Sequence, residues 1–500
     1  MRHIVIAGGG TAGWMTAAAF ARFLGHDHAI TLIESDAIGT VGVGEATIPQ
    51  IRLFNAGLGI DEAEFVAATQ GSFKLGIEFD GWRAPDHKYI HAFGSLGRPL
   101  GLIGYHHYFL RGLQSDPSAD LWSASPCAMA AAANRFAPIA DEPGRAPSGV
   151  AYAFQFDAGL YAKFLRNYSE QRGVTRIEGE IRHVSRDANN GNITALTLNE
   201  GREIAADFFI DCTGFQGLLI NGALESGFED WSHWLPCNRA IAVPSSRIDP
   251  LPPYTRATAR PAGWQWRIPL QHRTGNGHVF CDRFMSSDEA TAILLDGIEG
   301  ETLADPRELR FTTGKRPRQW IGNTVAIGLS AGFMEPLEST SIHLIQSAIS
   351  RALQMLPHDF VAAPSAIAEY NRQADFEWSS IRDFLILHYH ANGRSEPFWA
   401  AMRDMEIPET LSAKIALFKE SAGLFREHEE LFTADGWLQV LWGQGVKPDA
   451  YHPLANQLND ADLAEFLNLS RIHADSVAAH MPIHADFIAA HCSAPPTGAR

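Results

Sequence analysis

The N-terminal segment HIVIAGGGTAGWMTAAAFARFLGHDHAITLIES (residues 3–35) constrains the fold more than any other part of the chain. Ile4–Ala7 is a short apolar run that predicts a buried strand, and Ala29–Ile33 predicts a second one. Between them lies a G-x-G-x-x-G pattern before a helix-forming run, and an acid closes the second strand: Gly8, Gly10, Gly13 and Glu34. In a β-α-β unit such glycines permit a tight turn and close approach of a diphosphate, while the acid accepts hydrogen bonds from ribose hydroxyls. We therefore predict an α/β fold that binds a dinucleotide at the N-terminus of its first helix.

Three later segments favour FAD over NAD as that dinucleotide. VGVGEATIP (41–49) is a second glycine-rich loop, and DFFIDCTGFQGLL (207–219) is a strand that runs into an acid and another glycine-rich loop. TVAIGLSAGFMEPLESTS (324–341) begins as a further buried strand and continues as a loop. Such segments, far downstream of the first glycine loop, are typical of flavoproteins, in which they surround an extended FAD.

Composition and charge exclude several functional classes. The 500 residues carry a net charge of −17, from 40 basic and 57 acidic side chains, which argues against nucleic acid as the main partner. The five cysteines are widely separated and include no C-x-x-C pair, so we expect neither a disulfide framework nor a metal site. The first strand begins almost at once, and no uncharged apolar run reaches the length of about 18 residues that a membrane helix needs. We expect a cytoplasmic protein without a signal peptide.

A tryptophan-rich motif, GWQWRIP (263–269), is far more specific than the glycine loop. Its two tryptophans point the same way if the chain is extended, and Pro269 cannot donate to a sheet ladder. Together with the other segments, this motif resembles the flavin-dependent tryptophan halogenases. The segments that carry the resemblance are GGGTAGW (8–14), VGVGEATIP (41–49), SFKLGIEF (72–79), FIDCTGFQGLLIN (209–221), GWQWRIP (263–269), EPLEST (335–340), RDFLILHYH (382–390) and PFW (397–399).

The resemblance implies an FAD-binding, flavoprotein-monooxygenase-like fold with a mainly helical C-terminal cap over the substrate. Residues 1–355 would form the FAD-binding halogenase module, and residues 356–500, whose apolar positions recur every three or four residues, would form the cap. The implied chemistry uses FADH2 from a separate flavin reductase, O2 and bromide or chloride to make hypohalous acid, which travels through a tunnel to a lysine beside the substrate. If the enzyme assembles, we expect a homodimer. The residues expected to bind FAD are Gly8, Gly10, Thr11, Ala12, Gly13, Glu34, Val43, Gly44, Glu45, Ala46, Leu329 and Ile342.

The resemblance assigns the catalytic roles to Lys74 in SFKLG and Glu338 in EPLEST. An ammonium at Lys74 would hydrogen-bond hypohalous acid and make the halogen more electrophilic, whereas a desolvated amine would form a haloamine; both mechanisms stay open. Glu338 would polarise the oxidant or take the proton from the halogenated ring. Glu335, three residues earlier, is the alternative carboxylate and could instead bond the loop backbone.

A predicted helix after EPLEST offers a halide site. Ser339, Thr340 and Ser341 open its apolar pattern, and serine and threonine are favoured N-caps. The resemblance places the halide at the backbone of Thr340 and Ser341, where free N–H groups and the helix dipole favour an anion. The family carries glycine where this chain has Ser341, so we expect an altered halide preference.

The remaining motifs concern the flavin side and the substrate. Trp264 and Trp266 would lie beside the flavin, where an aromatic hydroxylase seats its substrate, and would divide the enzyme into two compartments. ELFTADGWLQVLWGQGVKPDAYHP (430–453) lacks the family segment that clamps free tryptophan, so we expect indole, a substituted indole or an indole within a larger molecule. Alternative functions are an aromatic flavin monooxygenase and a catalytically silent FAD-binding protein. The predicted substrate pocket is formed by His91, Phe93, Trp437 and Trp442.

Overall fold

The computed structural model describes residues 2–37, 44–141 and 147–496. The strands are β1 (Arg2–Ala7), β2 (His28–Glu34), β3 (Gly44–Ala46), β4 (Ser72–Lys74), β5 (Gly76–Asp80), β6 (Lys88–Ala92), β7 (Ala153–Asp157), β8 (Thr175–Glu178), β9 (Ile181–Arg186), β10 (Ile193–Leu198), β11 (Glu203–Ala205), β12 (Phe208–Asp211), β13 (Glu229–Asp230), β14 (Arg239–Ser246), β15 (Thr255–Arg260), β16 (Gly263–Pro269), β17 (Arg273–Phe280), β18 (Arg307–Arg310), β19 (Gly314–Lys315), β20 (Trp320–Ile321), β21 (Thr324–Ala326) and β22 (Gly332–Phe333). The helices are α1 (Thr11–Leu24), α2 (Gln50–Leu58), α3 (Glu62–Ala68), α4 (Tyr105–Gly112), α5 (Pro126–Ala132), α6 (Ala158–Glu170), α7 (Ser287–Asp296), α8 (Ser341–Met355), α9 (Pro364–His390), α10 (Pro397–Asp404), α11 (Glu409–Ser421), α12 (Ala434–Gly443), α13 (Asp460–His480) and α14 (His484–His491).

The chain forms two compact units, each built from three separate stretches. The first unit contains Met1–Gln70, Phe156–Pro236 and Phe311–Ser379, and the second contains Gly71–Gln155, Cys237–Arg310 and Ser380–Arg500. The predicted module and cap, which meet at residues 355 and 356, divide the chain by function instead, and that division stays a prediction.

A six-stranded sheet forms the centre of the first unit, in the order β20-β21-β12-β1-β2-β8. Its strands pair in parallel, except that β20 and β21 are antiparallel. Helices α1, α6 and α8 belong to the same unit, and α1 packs on both of the others. The strands β1 and β12 are almost fully buried, as expected for parallel strands covered on both faces. The predicted α/β fold is confirmed, and the carboxyl ends of β1, β2 and β12 bring the glycine loop, Glu34 and Asp211 to one edge of the sheet.

A seven-stranded sheet organises the second unit, in the order β18-β14-β17-β16-β15-β5-β6. Its neighbours are antiparallel, except that β15 and β5 are parallel. The tryptophan motif forms β16, between β15 and β17, so its predicted extended conformation is confirmed. Pro269 ends that strand, where the missing N–H interrupts no further pairing.

The C-terminal part of the chain is helical from α9 to α14, as its apolar periodicity predicts. Helix α12 packs on β6, and α13 packs on α4 and α5. All five cysteines are free thiols. Within the described ranges, no helix is long and apolar enough to cross a membrane, and no group of three His, Cys, Asp or Glu side chains could hold a metal ion.

Candidate active site

Two positions of the first glycine loop need glycine for backbone packing alone. Gly8 follows β1 with φ of 107°, and a Cβ there would lie 2.6 Å from the carbonyl carbon of Cys212. A Cβ on Gly13 would lie 3.0 Å from the carbonyl carbon of Gly8 and closer still to its oxygen. A side chain at either position would therefore separate α1 from the strands beside it.

Gly10 faces open space instead, and this is the feature that fits FAD. It is the N-cap of α1, with no side-chain hydrogen bond to the first turn, and a Cβ there would meet nothing within 4 Å. The N–H groups of the first turn, at Thr11 and Ala12, have no acceptor within their own helix. The positive end of the helix dipole favours an anion at this place. The diphosphate of FAD therefore fits in front of Gly10.

A cavity of about 440 Å³ lies beside the end of β2. Glu34 forms part of its wall, and Oε1 of that carboxylate accepts a hydrogen bond from Nε of Arg176 at 2.5 Å. Oε2 accepts from Nε1 of Trp14 at 3.3 Å. These bonds orient the carboxylate and leave lone pairs for ribose hydroxyls. The residues that line the cavity are Gly9, Trp14, Glu34, Asp36, Ala162, Lys163, Arg166, Asn167 and Glu170.

The predicted FAD segment that follows β21 meets the glycine loop. Gly328 has φ of 74° and packs against Ala12, since a Cβ there would lie 2.7 Å from the Cβ of Ala12. Leu329 follows in the same turn and is 38% exposed, while Ile342 is buried in α8. The structure thus brings the start of α1 and the turn after β21 together.

The second glycine-rich loop is described only in part. Val43 lies outside the described residues, and Gly44, Glu45 and Ala46 form β3. Burial raises the pKa of the Glu45 carboxyl to about 7, although the residue keeps some exposed surface.

Asp211, at the end of β12, organises the loop that follows it. Its Oδ1 accepts the N–H of Thr213 at 2.9 Å, and its Oδ2 accepts the N–H groups of Leu219 at 2.9 Å and Ile220 at 2.8 Å. The acid of the strand-acid-glycine segment therefore fixes its own loop. The sequence marked this acid but gave no sign of which groups it binds.

Lys74 is the last residue of β4 and is fully buried in the second unit. Strand β4 pairs antiparallel with residues 153–155, and Lys74 stands opposite Ala153. Its Nζ lies 5.4 Å from the centre of the Phe93 ring, which is a cation–π distance. The structure thus places a buried lysine beside one of the predicted substrate residues.

The backbone around Lys74 is held by contacts that the sequence did not predict. Ser72 Oγ donates to the carbonyl of Pro269 at 2.6 Å, and it accepts from the Gln155 side chain at 3.2 Å. The N–H of Leu75 donates to the carbonyl of Pro253 at 2.7 Å. The strand that carries the lysine is therefore tied to the end of the tryptophan strand β16.

Trp264 and Trp266 lie on the same face of β16, with ring centres 6.2 Å apart. Trp264 is buried 6.3 Å from Trp82, whose ring contacts those of Tyr389 and Trp399. Trp266 lies across Gly277, where a Cβ would come within 2.5 Å of the indole. Both tryptophans are core residues of the second unit, and their role as a flavin-side barrier stays a prediction.

The four predicted substrate-pocket residues fall into three environments of the second unit. Phe93 lies beside Lys74, and His91 packs 5.5 Å from Phe384. Trp437 is buried, contacts the same Phe384 at 4.8 Å and donates its indole N–H to Glu430 at 3.0 Å. Trp442 is half-buried and contacts Phe109 on one side and Lys447 on the other. His91 and Trp437 are therefore brought together, whereas Trp442 shares no ring contact with them among the described residues.

Glu338 lies in the first unit, in a short 3-10 turn before α8, and is fully buried together with Glu335. Ser339 is left-handed with φ of 59°, and Thr340 is the N-cap of α8 with φ of −89° and ψ of −10°. The N-cap of α8 is one of the three predicted residues, Thr340, but its side chain makes no capping hydrogen bond: such a bond needs an extended N-cap backbone, and the conformation of Thr340 is helical. The Thr340 hydroxyl is buried and has no hydrogen-bond partner among the described residues.

Known proteins match this chain over nearly its whole length. The family model described as tryptophan halogenase covers residues 3–460. Tryptophan 7-halogenase RebH from Lentzea aerocolonigenes is 34% identical over 491 residues, which cover 90% of this chain and 91% of that protein.

Two solved structures share the fold closely. Xcc4156, a flavin-dependent halogenase from Xanthomonas campestris, is 48% identical with a TM-score of 0.96, covering 99% of both chains. BrvH, a flavin-dependent halogenase from Brevundimonas sp. BAL3, is 43% identical with a TM-score of 0.94, again covering 99% of both chains. The chain therefore belongs to the tryptophan halogenase family and is a flavin-dependent halogenating enzyme, with FAD as its cofactor and a halide as its co-substrate.

Proposed function

We propose that this enzyme halogenates an indole-type aromatic substrate, with Lys74 and Glu338 as its catalytic residues. The observation that carries the proposal is the complete burial of Lys74 beside Phe93. A fully buried lysine is uncommon, because desolvation disfavours its charge. Tryptophan, the substrate named for several relatives, contains the indole ring that the proposal assigns to this enzyme.

The first unit would hold FAD at Gly10, Thr11 and Ala12 through its diphosphate and at Glu34 through a ribose. Bound FADH2 supplies two electrons, which together with two electrons from the halide reduce O2 and yield hypohalous acid and water. The chain's own part in this step is to hold the halide. Thr340 and Ser341 would do so with the N–H groups at the start of α8, and the buried Thr340 hydroxyl offers one more donor.

Lys74 would act on hypohalous acid as an ammonium. The face of the Phe93 ring is electron-rich, so its position near Nζ offsets part of the cost of burying the charge. The ammonium hydrogen-bonds the oxygen of HOX and donates a proton as the halogen–oxygen bond breaks, so that water leaves. The halogen forms its new bond to a ring carbon of the substrate. This reading favours hydrogen bonding over a haloamine intermediate.

Glu338 would accept the proton that the halogenated ring carbon must lose. Its side chain is fully buried, away from bulk solvent. Ring C–H is thereby replaced by C–X, the carboxyl returns its proton to solvent, and the Lys74 amine takes up a proton from solvent to regenerate the ammonium. Glu335 is equally buried, so its variant is the control that separates the two acids.

The substrate is proposed to be indole, a substituted indole or an indole within a larger molecule, rather than free tryptophan. Trp437, a predicted pocket residue of α12, uses its indole N–H on Glu430, which favours a structural role there. The reduced flavin would come from a separate reductase, and the enzyme would act in the cytoplasm as a homodimer. Size-exclusion chromatography with light scattering tests the dimer.

The central experiment is mass spectrometry of an indole panel, free tryptophan included, incubated with FAD, a flavin reductase, NADH and bromide or chloride. We expect a higher kcat/KM for indole than for tryptophan; equal or higher values for tryptophan would reject the substrate proposal.

Lys74→Ala should abolish halogenation while FAD still binds. Lys315, a buried lysine that pairs with Glu229 and Asp375, supplies the matched control, and Lys315→Met should lower stability but keep turnover per folded enzyme. A Lys74→Ala variant with most of its activity would remove this lysine from the mechanism.

A further inference from the structure

The strand that carries Lys74 is an edge strand with one buried and outward-facing amide. Strand β4 lies at the edge of its sheet and pairs only with β7 among the described strands. In an antiparallel pair, alternate residues direct their N–H groups away from the neighbouring strand. Phe73 is such a residue and is 2% exposed, so its N–H needs a partner from elsewhere in the protein.

His484 supplies that partner from the other end of the chain. Its Nε2 accepts the N–H of Phe73 at 3.1 Å, and its Nδ1 lies 3.0 Å from the carbonyl of Leu251. A backbone N–H can only donate and a carbonyl can only accept, so the ring is the neutral tautomer with its proton on Nδ1. Burial lowers the pKa of His484 to about 4, which keeps the ring in this form at neutral pH.

The two amides that flank Lys74 are bound to the same short segment. The N–H of Leu75 donates to Pro253, while Phe73 reaches Leu251 through His484. The hydrogen bonds therefore close a circuit around Lys74. The Leu75 bond fixes the peptide plane that follows Lys74, and the His484 bond fixes the plane between Ser72 and Phe73, one residue before it. Together these bonds constrain the direction in which the Lys74 side chain leaves the backbone.

His484 is itself held firmly against the same region. Its own N–H donates to the carbonyl of Asn134 at 2.8 Å, and the N–H of Phe136 donates to the carbonyl of Pro482 at 3.0 Å. The ring of Phe136 stacks on that of Phe73 with centres 4.1 Å apart. The backbone that carries the imidazole is therefore held in place. A substitution of His484 should change the two hydrogen bonds of its ring without displacing the backbone around it.

We propose that His484 is a positioning residue for halogen transfer: it fixes the Phe73 amide and thereby the place of the Lys74 ammonium. The inference rests on the proposed catalytic role of Lys74. The lysine side chain is long, with four carbons between Cα and Nζ. A small rotation of the backbone at Lys74 therefore displaces Nζ much more than it displaces Cα. Misplacement of a reacting group by about 1 Å can cost about a hundredfold in rate.

Three variants separate the two bonds of the imidazole. In His484→Gln the amide oxygen reaches as far as Nε2, so it can still accept from Phe73. In His484→Asn the amide reaches only as far as Nδ1, so it can keep the Leu251 bond but loses Phe73. His484→Leu loses both. The glutamine and asparagine variants are a matched pair of similar polarity.

The substrate is the indole that the unaltered enzyme halogenates most rapidly. The readout is the fraction of oxidised bromide that is incorporated into this indole, and a soluble diketone traps the hypobromous acid that escapes. A structural defect would change the amount of folded enzyme, whereas a displaced Lys74 would release the oxidant unused. In His484→Asn we expect this fraction to fall about tenfold or more, with the FAD Kd and the bromide KM unchanged. In His484→Gln we expect it to stay within about threefold of the unaltered enzyme.

Equal fractions in the glutamine and asparagine variants would overturn the inference, because the Phe73 bond would then carry no special weight. Lys74→Ala is run in parallel. Its failure to lose halogenation would reject the proposed function of Lys74. If Lys74→Ala loses halogenation while His484→Asn keeps its full halogenation activity, only the positioning role of His484 is rejected.

Discussion

A pair of glycine substitutions separates cofactor binding from packing in the first unit. Gly10→Ala adds a Cβ that meets nothing within 4 Å, whereas Gly13→Ala adds one that lies 3.0 Å from the carbonyl carbon of Gly8. Both glycines belong to the same loop and lie three residues apart. If Gly10 is open because FAD approaches there, its variant should damage binding without damaging the fold.

The expected magnitudes differ in kind. At Gly10 the backbone is extended, with φ of −71°, which alanine accepts. The gain of about 0.4–1 kcal/mol from a stiffer unfolded chain offsets the similar loss of a good N-cap residue. The free energy of unfolding should therefore change by less than about 1 kcal/mol. At Gly13 the added methyl overpacks the contact of α1 with Gly8, which should cost about 3 kcal/mol.

Relative to the stability that each variant loses, FAD binding should weaken more in Gly10→Ala than in Gly13→Ala. A Cβ in front of the first turn of α1 removes about one charge-assisted hydrogen bond to the diphosphate, worth about 1.5–3 kcal/mol. The FAD Kd of Gly10→Ala should rise about tenfold to a hundredfold. Flavin fluorescence titration gives Kd, and thermal unfolding of the FAD-free protein gives Tm. A Gly10→Ala variant that keeps its FAD Kd within about twofold, or loses as much Tm as Gly13→Ala, would refute the reasoning.

Three further predictions follow from the site and its supports. Ser341→Gly should narrow a preference for bromide over chloride, measured by competition at equal halide concentration, and a chloride preference in the unaltered enzyme would contradict the argument from Ser341. Burial lowers the pKa of His278 to about 4, so its contribution to the free energy of unfolding should be fully present above pH 6.5 and fall towards pH 4, by about 2 kcal/mol at pH 5. The His278→Asn variant should lack this loss when urea unfolding is compared at pH 7 and pH 5. An equal loss in the variant would contradict the prediction. Glu377 accepts hydrogen bonds from His343 and Arg351, two residues of α8. Glu377→Gln should therefore lower the free energy of unfolding by about 3 kcal/mol and raise the halide KM. An unchanged Tm would show that these two hydrogen bonds are dispensable for stability.

Local patterns predict those elements whose reasons are local. The strands β1 and β2 are continuous apolar runs because parallel strands are covered on both faces, and the glycine spacing between them admits few conformations. The extended state of GWQWRIP follows from its bulky alternating residues and terminal proline. The helical C-terminal part is equally visible as a repeat of three and four residues.

Non-local contacts lie beyond such patterns. Phe73 and His484 are 411 positions apart, and a single histidine near the end of a chain has no spacing that marks its partner. The two units interleave three stretches each, because strands distant in sequence complete each sheet. The Thr340 cap fails for a related reason: the left-handed Ser339 before it sets the direction of the chain, and the identity of Thr340 alone does not reveal that.

A hydrogen bond links the tryptophan motif to the strand that carries the lysine motif. Pro269 ends β16 without an N–H, yet its carbonyl accepts the Ser72 hydroxyl two residues before Lys74. Trp264 anchors the same strand in an aromatic cluster with Trp82, so the acceptor at its end is held in place. If Lys74 directs the halogen as proposed, its backbone must not shift, and an edge strand of three residues cannot hold it in place alone. The bulky, costly residues of GWQWRIP are therefore explained by what the strand supports at its far end as much as by the volume they fill.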